Sequence, residues 1–287
     1  MRRLLVSLVA AGFATAAAAQ SFPNRTVRFV SGVTPGSASD TMARILAEKL
    51  SASLGQPVIV ENRLGAGGLV GAKWVAGQEP DGHTIMMYAS AFTVSTLLTP
   101  GLDPKELAPL ATVATIPTVL ITPPGKYKTA ADFVAAAKAQ RGKLNCATAG
   151  AGEALTEVVS GRAECYFALV FQAQKMRDSG KVTALAVSGP KRTSLMPDLP
   201  TTVEAGYPNS DYNFWVGALV PAKTPRPIIE RLHKEINTLV QSPEINERIK
   251  KLGADPLSMT LAEFQSMIDR ELVENAKLIK AAGIKAN

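Results

Sequence analysis

Apolar residues recur along this chain at two periods, and the alternation between them lays out most of its elements. Val27, Phe29 and Val30 make a short strand-like run, a turn of small residues follows at positions 34–39, and Met42, Ile45, Leu46 and Leu50 then recur at helical spacing. The order predicted is strand, turn, helix, with Ser39 or Asp40 placed to cap the helix. A second strand is predicted at Val58-Ile59-Val60, followed by a glycine cluster (Gly65, Gly67, Gly68, Gly71) and a helix over 69–76. A turn at Pro80-Asp81-Gly82 leads to a third strand over 84–89, which ends at Ser90-Ala91.

The pattern changes at 110–122, where a β-rich run (LATVATIPTVLIT) precedes Pro123-Pro124-Gly125. This run predicts a strand that leaves a first lobe and enters a second. A new α/β series follows: helix 130–140, strand 144–148, turn 149–152, helix 153–160, strand 164–168, helix 171–178 and strand 182–188. The run 214–220 (FWVGALV) can cross back, and helices are expected over 225–241, 243–252 and 261–282. Alternating strands and helices in two series imply two α/β lobes. The division expected is 1–19 as an export signal, 20–121 as the first part of lobe 1, 122–213 as lobe 2, and 214–287 as the return to lobe 1.

Two turns are candidates for chemistry. Between the first strand and its helix, Pro35, Gly36, Ser37 and Ala38 carry no side chain large enough to fill the space above a sheet. Backbone N–H groups at such a helix start are a place for an anion or a carboxylate. In an open parallel sheet ligands bind outside the carboxyl ends of the strands, so the turns at 34–39 and 89–92 would face one crevice. Small-residue turns that bind nothing are also common, and these residues alone leave both readings open. The glycine cluster is one residue too long for a dinucleotide fingerprint and lacks the acidic partner, so its expected role is to let a helix start close against the sheet.

Composition narrows the classes. A chain of 287 residues with 46% hydrophobic and 19% charged residues is an ordinary globular composition. Its N-terminus has two arginines, a short apolar run and Ala17-Ala18-Ala19, which predicts an export signal cleaved before Gln20. The apolar run is too short for a membrane span. The net charge of +7 falls with loss of Arg2 and Arg3, and the other cations are interspersed with acidic neighbours, which argues against a nucleic-acid partner. Cys146 and Cys165 are expected as buried thiols on parallel neighbouring strands, and two free thiols are favoured over a disulfide. No metal spacing and no nucleophile motif involves either histidine. His83 lies at a strand start, the wrong end for a crevice, and His233 is expected to face solvent. No catalytic residue, metal or cofactor is predicted.

The stretch ENRLGAGGLVGAKWVAGQEPDGHTIMM, with FPNRTVRFVSGVTPGSASD before it and PKRTSLMPDLPTTVEAGYP, VPAKTPRPIIERLHKEIN and LGADP after it, resembles the substrate-binding proteins of tripartite tricarboxylate transporters, the Bug family. The resemblance covers nearly the whole mature chain. It implies a two-lobed periplasmic-binding-protein (Venus flytrap) fold, each lobe a sheet flanked by helices, that captures a small carboxylate and delivers it to membrane permease subunits or presents it to a sensor protein. The implied ligand residues are Thr34, Pro35, Gly36, Ser37, Ala38, Ser39 and Asp40 in the first turn, Ser90 and Ala91 in the second, and Ala149 and Gly150 from the second lobe.

One region departs from the family. After Gly152 about 25–30 residues are absent, the size of a helix and a strand, and Phe167-Ala168 stands where relatives carry Phe-Asp. A truncated second lobe is therefore expected, with fewer closing contacts. The leading expectation is a non-enzymatic carboxylate receptor; the alternative is a receptor-like interaction or sensing protein that binds ligand weakly or not at all.

Overall fold

A computed structural model describes residues 22–140, 143–147 and 151–284. The expected signal segment and Ala149 and Gly150 lie outside them. Three parallel strands, β1 (Val27–Ser31), β2 (Val58–Asn62) and β3 (Thr84–Ala89), lie in the order β2-β1-β3. They alternate with helices α1 (Ala38–Leu54), α2 (Leu69–Ala76) and α3 (Ala91–Leu98). The chain then runs through β4 (Leu107–Thr122), a strand of 16 residues and so about 50 Å long.

The second series holds α4 (Ala130–Ala139), α5 (Ala151–Val159), β5 (Tyr166–Leu169), α6 (Val170–Asp178) and β6 (Thr183–Val187). The return is made by β7 (Asn213–Pro221), α7 (Arg226–Gln241), α8 (Pro243–Lys250), the two-residue β8 (Asp255–Pro256) and α9 (Leu261–Ala281). β7 inserts antiparallel between β3 and β4, and pairs with β4 as far as Pro117↔Asn213. From Thr118 onward β4 pairs instead with β5 on one side and β6 on the other. One strand is thus shared by two sheets, with its partners exchanged between Pro117 and Thr118.

Side-chain alternation explains how both faces of the first sheet are covered. Val27 and Phe29, Ile85 and Met87, and Val216 and Ala218 face α1 and α7, packing on Met42, Leu46, Leu232 and Ile236. Val30, Met86, Tyr88, Trp215 and Leu219 face the other way, onto α2, Phe92, and Phe264 and Ile268 of α9. The first cluster continues along β4 through Ile116, Val119 and Ile121 into the second sheet, where Val158, Ala168 and Ala173 join it. The strand run at 110–122 and the two α/β series follow the sequence pattern closely.

Three expectations change. The strand predicted over 144–148 is a single bridge, Cys146↔Cys165, because only Asn145 and Ala147 exchange backbone bonds with Glu164 and Cys165. His233 does not face solvent: its Nδ1 lies 2.7 Å from the Leu110 carbonyl of β4 and its Nε2 2.9 Å from Asn237. Cys146 and Cys165 sit on parallel neighbours as predicted, but they form a disulfide. The two residues stand directly opposite in register, with Cα atoms 4.6 Å apart, and that satisfies the height and face requirements together.

The bridge closes a loop with a sequence separation of 19 at the edge of the second sheet. Replacing both cysteines by serine is expected to cost about 3 kcal/mol and to lower the melting temperature by roughly 5–10 °C. Thermal unfolding of the variant, and of the wild type with and without reductant, measures this.

Candidate functional site

The first turn is built by its own helix start. Ser37, extended at φ −68° and ψ 168°, is the N-cap, and its Oγ accepts from the Asp40 N–H at 3.4 Å. The cap is therefore neither Ser39 nor Asp40, because both already lie inside α1 and are buried. Asp40, at the third helical position, accepts from the Gly36 N–H at 2.9 Å, Asn62 Nδ2 at 2.9 Å, and Arg44 Nε and Nη2 at 2.9 and 3.0 Å. Burial alone would raise its carboxyl; Arg44, Gly36 and Asn62 together bring it below the ordinary carboxylate range. Asp40 is thus a brace for the turn, with its charge neutralised by Arg44.

What the turn leaves open is backbone. The N–H groups of Ala38 and Ser39 have no acceptor among the described residues, as is usual for the first positions of a helix. Thr34, Pro35 and Gly36 are exposed beside them. At the carboxyl end of β1 the Ser31 hydroxyl is fully buried and has no hydrogen-bond partner among the described residues.

The second turn is arranged differently from the sequence expectation. The Ser90 N–H donates to the Trp215 carbonyl of β7 at 3.0 Å, so it is not a free donor. Ser90 is fully buried, and its Oγ accepts from the Tyr212 hydroxyl at 2.7 Å. Part of the Tyr212 ring is exposed, but its hydroxyl end is enclosed at Ser90. Burial pushes this phenol up, against the Ser90 hydrogen bond, and the Glu271 charge adds to the rise. Ala91 is exposed and opens α3, and its N–H has no acceptor among the described residues.

Glycine lets these parts converge. A Cβ on Gly32 would stand 2.5 Å from the Gly68 Cα, and Gly68, at φ 100°, has the Tyr88 ring 2.5 Å from where its own Cβ would be. The Tyr88 hydroxyl donates to the Gly67 carbonyl at 2.7 Å. Its pKa is pushed up to about 12 by burial, against a hydrogen bond from Ser95, so it remains a donor at neutral pH. The cluster thus plays the close-packing role expected of it, and the starts of α1, α2 and α3 gather at the carboxyl ends of three neighbouring parallel strands.

Elsewhere a cavity of about 350 Å³ lies between the loop at 189–194 and residues 250–255. Its cations are spent on carboxylates, Lys191 on Asp255 at 3.3 Å, and Arg192 on Glu204 at 2.8 Å. The turns, with unspent donors and small side chains, are the stronger candidate. Among the described residues no group of three or more His, Cys, Asp or Glu gathers to hold a metal. His83 is buried at the start of β3, beside Asp81 and Phe22, away from these turns.

This fold is shared with proteins of known family. The model of the tripartite tricarboxylate transporter family receptor matches residues 42–156 and 148–284. The chain belongs to that family, the Bug receptors. A relative from Pseudomonas sp. (strain P51), the UPF0065 protein in the tcbD-tcbE intergenic region, is 30% identical, with 100% of this chain and 96% of the relative covered. Periplasmic binding protein BugD superimposes with a TM-score of 0.80 at 28% identity, covering 92% of this chain and 99% of BugD. MatC from Rhodopseudomonas palustris, solved with bound malate, gives 0.79 at 25% identity over 90% of this chain and 100% of MatC.

The fold is accordingly the two-lobed one of periplasmic binding proteins, and the chain is a solute receptor and not an enzyme. The alignment with the Pseudomonas relative runs over 321 positions, more than the 287 residues present, so it opens gaps in this chain. The family model matches in two segments that overlap at 148–156, so the match is not continuous there. Ala168, where the resemblance leads one to expect Asp, is fully buried in the main apolar cluster.

Sequence reasoning missed Arg44, Asn62, Tyr212 and Trp215. The spacing of Asp40 and Arg44, four apart on one helix, was a usable signal. The other three come from distant strands and loops. Because Gly32 meets backbone and not a flexible side chain, Gly32→Ala is expected to destabilise the protein by about 2 kcal/mol or more. A urea unfolding curve with unchanged slope and a lower midpoint would show it.

Proposed function

We propose that this protein is a periplasmic receptor that captures a small organic acid and delivers it to the permease subunits of a tripartite transporter. The observation that carries the reading is the gathering of unspent helix N-terminal donors, Ala38, Ser39 and Ala91, over small side chains at the ends of parallel strands. A carboxylate held there is met by backbone N–H groups and by the positive ends of α1 and α3. Thr34, Pro35, Gly36 and Ser37 shape the rim, and Asp40 and Ser90 hold the two turns in place. Ala149 and Gly150 are assigned to the second lobe's contribution on the family resemblance alone. Malate bound in MatC supports a small carboxylate as ligand. Residues 1–19 are the export signal in this reading.

A second reading, a receptor-like interaction or sensing protein with weak ligand binding, draws on the second lobe. The two family segments meet and overlap at 148–156, and Ala168 is buried in an apolar cluster; both lie in the lobe proposed to close over the turns. A hydrogen bond to a charged group contributes about 1.5–3 kcal/mol, so the loss of two would lower affinity by several factors of ten.

Titration with malate, citrate, adipate and nicotinate while following thermal unfolding separates the two. At 100 times its Kd a ligand stabilises by about 2.7 kcal/mol. Ala38→Leu is expected to remove that gain by filling the turn. Ser37→Ala is expected to cost about 1 kcal/mol of stability through loss of the cap and to leave affinity nearly unchanged. An Ala38→Leu protein that binds as the wild type does would move the site away from this turn.

A further inference from the structure

Behind the second turn lies a carboxylate that anion binding by backbone does not itself require. Glu271 projects from α9, half-buried, with Oε1 accepting from Trp215 Nε1 at 2.8 Å and Oε2 3.1 Å from Thr93 Oγ1. Thr93 is the third residue of α3, and its hydroxyl touches two more groups, the Ser90 carbonyl at 2.9 Å and Asn275 Nδ2 at 2.9 Å.

The proton count in this cluster is decisive. A threonine hydroxyl has one proton to give and two lone-pair positions to fill. Asn275 fills one position. The remaining contacts are to a carbonyl oxygen and a carboxylate oxygen, and one proton cannot serve both. When Glu271 is protonated on Oε2 every contact is satisfied: Glu271 donates to Thr93, and Thr93 donates to Ser90. When it is ionised, either the Ser90 carbonyl or Glu271 loses its bond to Thr93.

We infer that Glu271 is a positioning residue whose proton holds the Ser90–Ala91 turn in its anion-accepting form, so that capture of a carboxylate takes up a proton. The inference rests on the proposed reading of that turn as part of the ligand site. Each bond that orients Ser90 leads back toward this group or its neighbours: the carbonyl through Thr93, the N–H through the Trp215 carbonyl, and the hydroxyl through Tyr212. α3, β4 and β7, the elements around it, carry no titratable side chain. The charged and titratable groups that remain are Tyr212, and Glu274 and Arg270 on its own helix. Burial raises the Glu271 carboxyl above its ordinary value, against the Trp215 and Thr93 hydrogen bonds, with Glu274 adding to the rise and Arg270 opposing it.

The sign follows by linkage. An anion at the Ala91 N–H is a like charge one helical turn or less from Thr93, so it favours the protonated form of Glu271. By reciprocity the protonated form favours the anion by the same factor. Affinity is then highest below the pKa of the free protein and falls as pH rises through that value and the still higher one of the complex.

The test is calorimetry of wild type and Glu271→Gln with malate, citrate and adipate from about pH 5 to about pH 8, in buffers of differing ionisation enthalpy. Glutamine keeps an acceptor for Trp215 and a donor for Thr93, so it mimics the protonated state. The wild type is expected to lose about tenfold in affinity across this range beyond the titration of the ligand itself, and to take up a proton on binding. The glutamine variant should keep the acid-pH affinity throughout, and Glu271→Ala should bind weakly at every pH. Equal pH slopes for wild type and Glu271→Gln, with binding intact, would overturn the coupling while leaving the receptor reading in place. Binding of none of the three acids by either protein at about pH 5 would overturn the receptor reading, and the coupling with it.

Discussion

The structure depends on one strand. β4 is buried along nearly its whole length, and it hydrogen-bonds to β7 and β8 in its first part and to β5 and β6 in its second. Backbone groups taken out of water must find partners, so neither sheet can form without its share of this strand. The exchange of partners between Pro117 and Thr118 is fixed by side chains as well. Thr118 and Ser188 are bonded through their hydroxyls at 2.7 Å, the Thr118 N–H donates to Ser188 Oγ at 3.1 Å, and Ser188 Oγ also contacts the Tyr212 carbonyl at 2.9 Å. The same Tyr212 reaches Ser90 at the candidate site. A change in the angle between the sheets would therefore be felt at the second turn through one residue.

The second constraint is the crowding of helix starts. Three helices begin over strands spaced about 4.8 Å apart, and their first turns fit only because Gly32 and Gly68 meet backbone to backbone. Such contact keeps side chains out of the proposed ligand place, and on that proposal recognition would fall to N–H groups. Backbone donors are rigid and cost little ordering on binding, but they discriminate poorly among acids. On the same proposal discrimination would belong to the face of the second lobe.

Local signals were legible because they act over a few residues. The alternation of Val27, Phe29 and Val30 with the helical spacing of Met42, Ile45, Leu46 and Leu50 places β1, its turn and α1 within a residue or two of their observed positions. The long run at 110–122 announces β4 because so many consecutive apolar and β-branched residues require burial on both faces. What sequence could not supply was the use of each donor. Ser90 reads as an open turn residue, yet its N–H is taken by Trp215, 125 positions away. Asp40 reads as a ligand residue or a cap, while Arg44 and Asn62 turn it inward. Cys146 and Cys165 were placed on neighbouring strands by topology, but pairing turned on register, which only the fold fixes.

The edge of the second sheet shows how its own residues are used. Between the Cys146 bridge and β5 the described residues hold α5, and this sheet ends in a bridge of residues 145–147. Such an edge holds little by hydrogen bonding alone, and the disulfide supplies constraint there. Ala168 fits the same logic: it is sealed in the apolar cluster beside Val119, where a carboxylate would be removed from water without a partner. The residues of this lobe thus serve its stability first. The first lobe, by contrast, keeps its braces, its unspent donors and a carboxylate behind the second turn. On the proposed reading the first lobe would set where an acid can sit and at what pH, and the second lobe how tightly it is held.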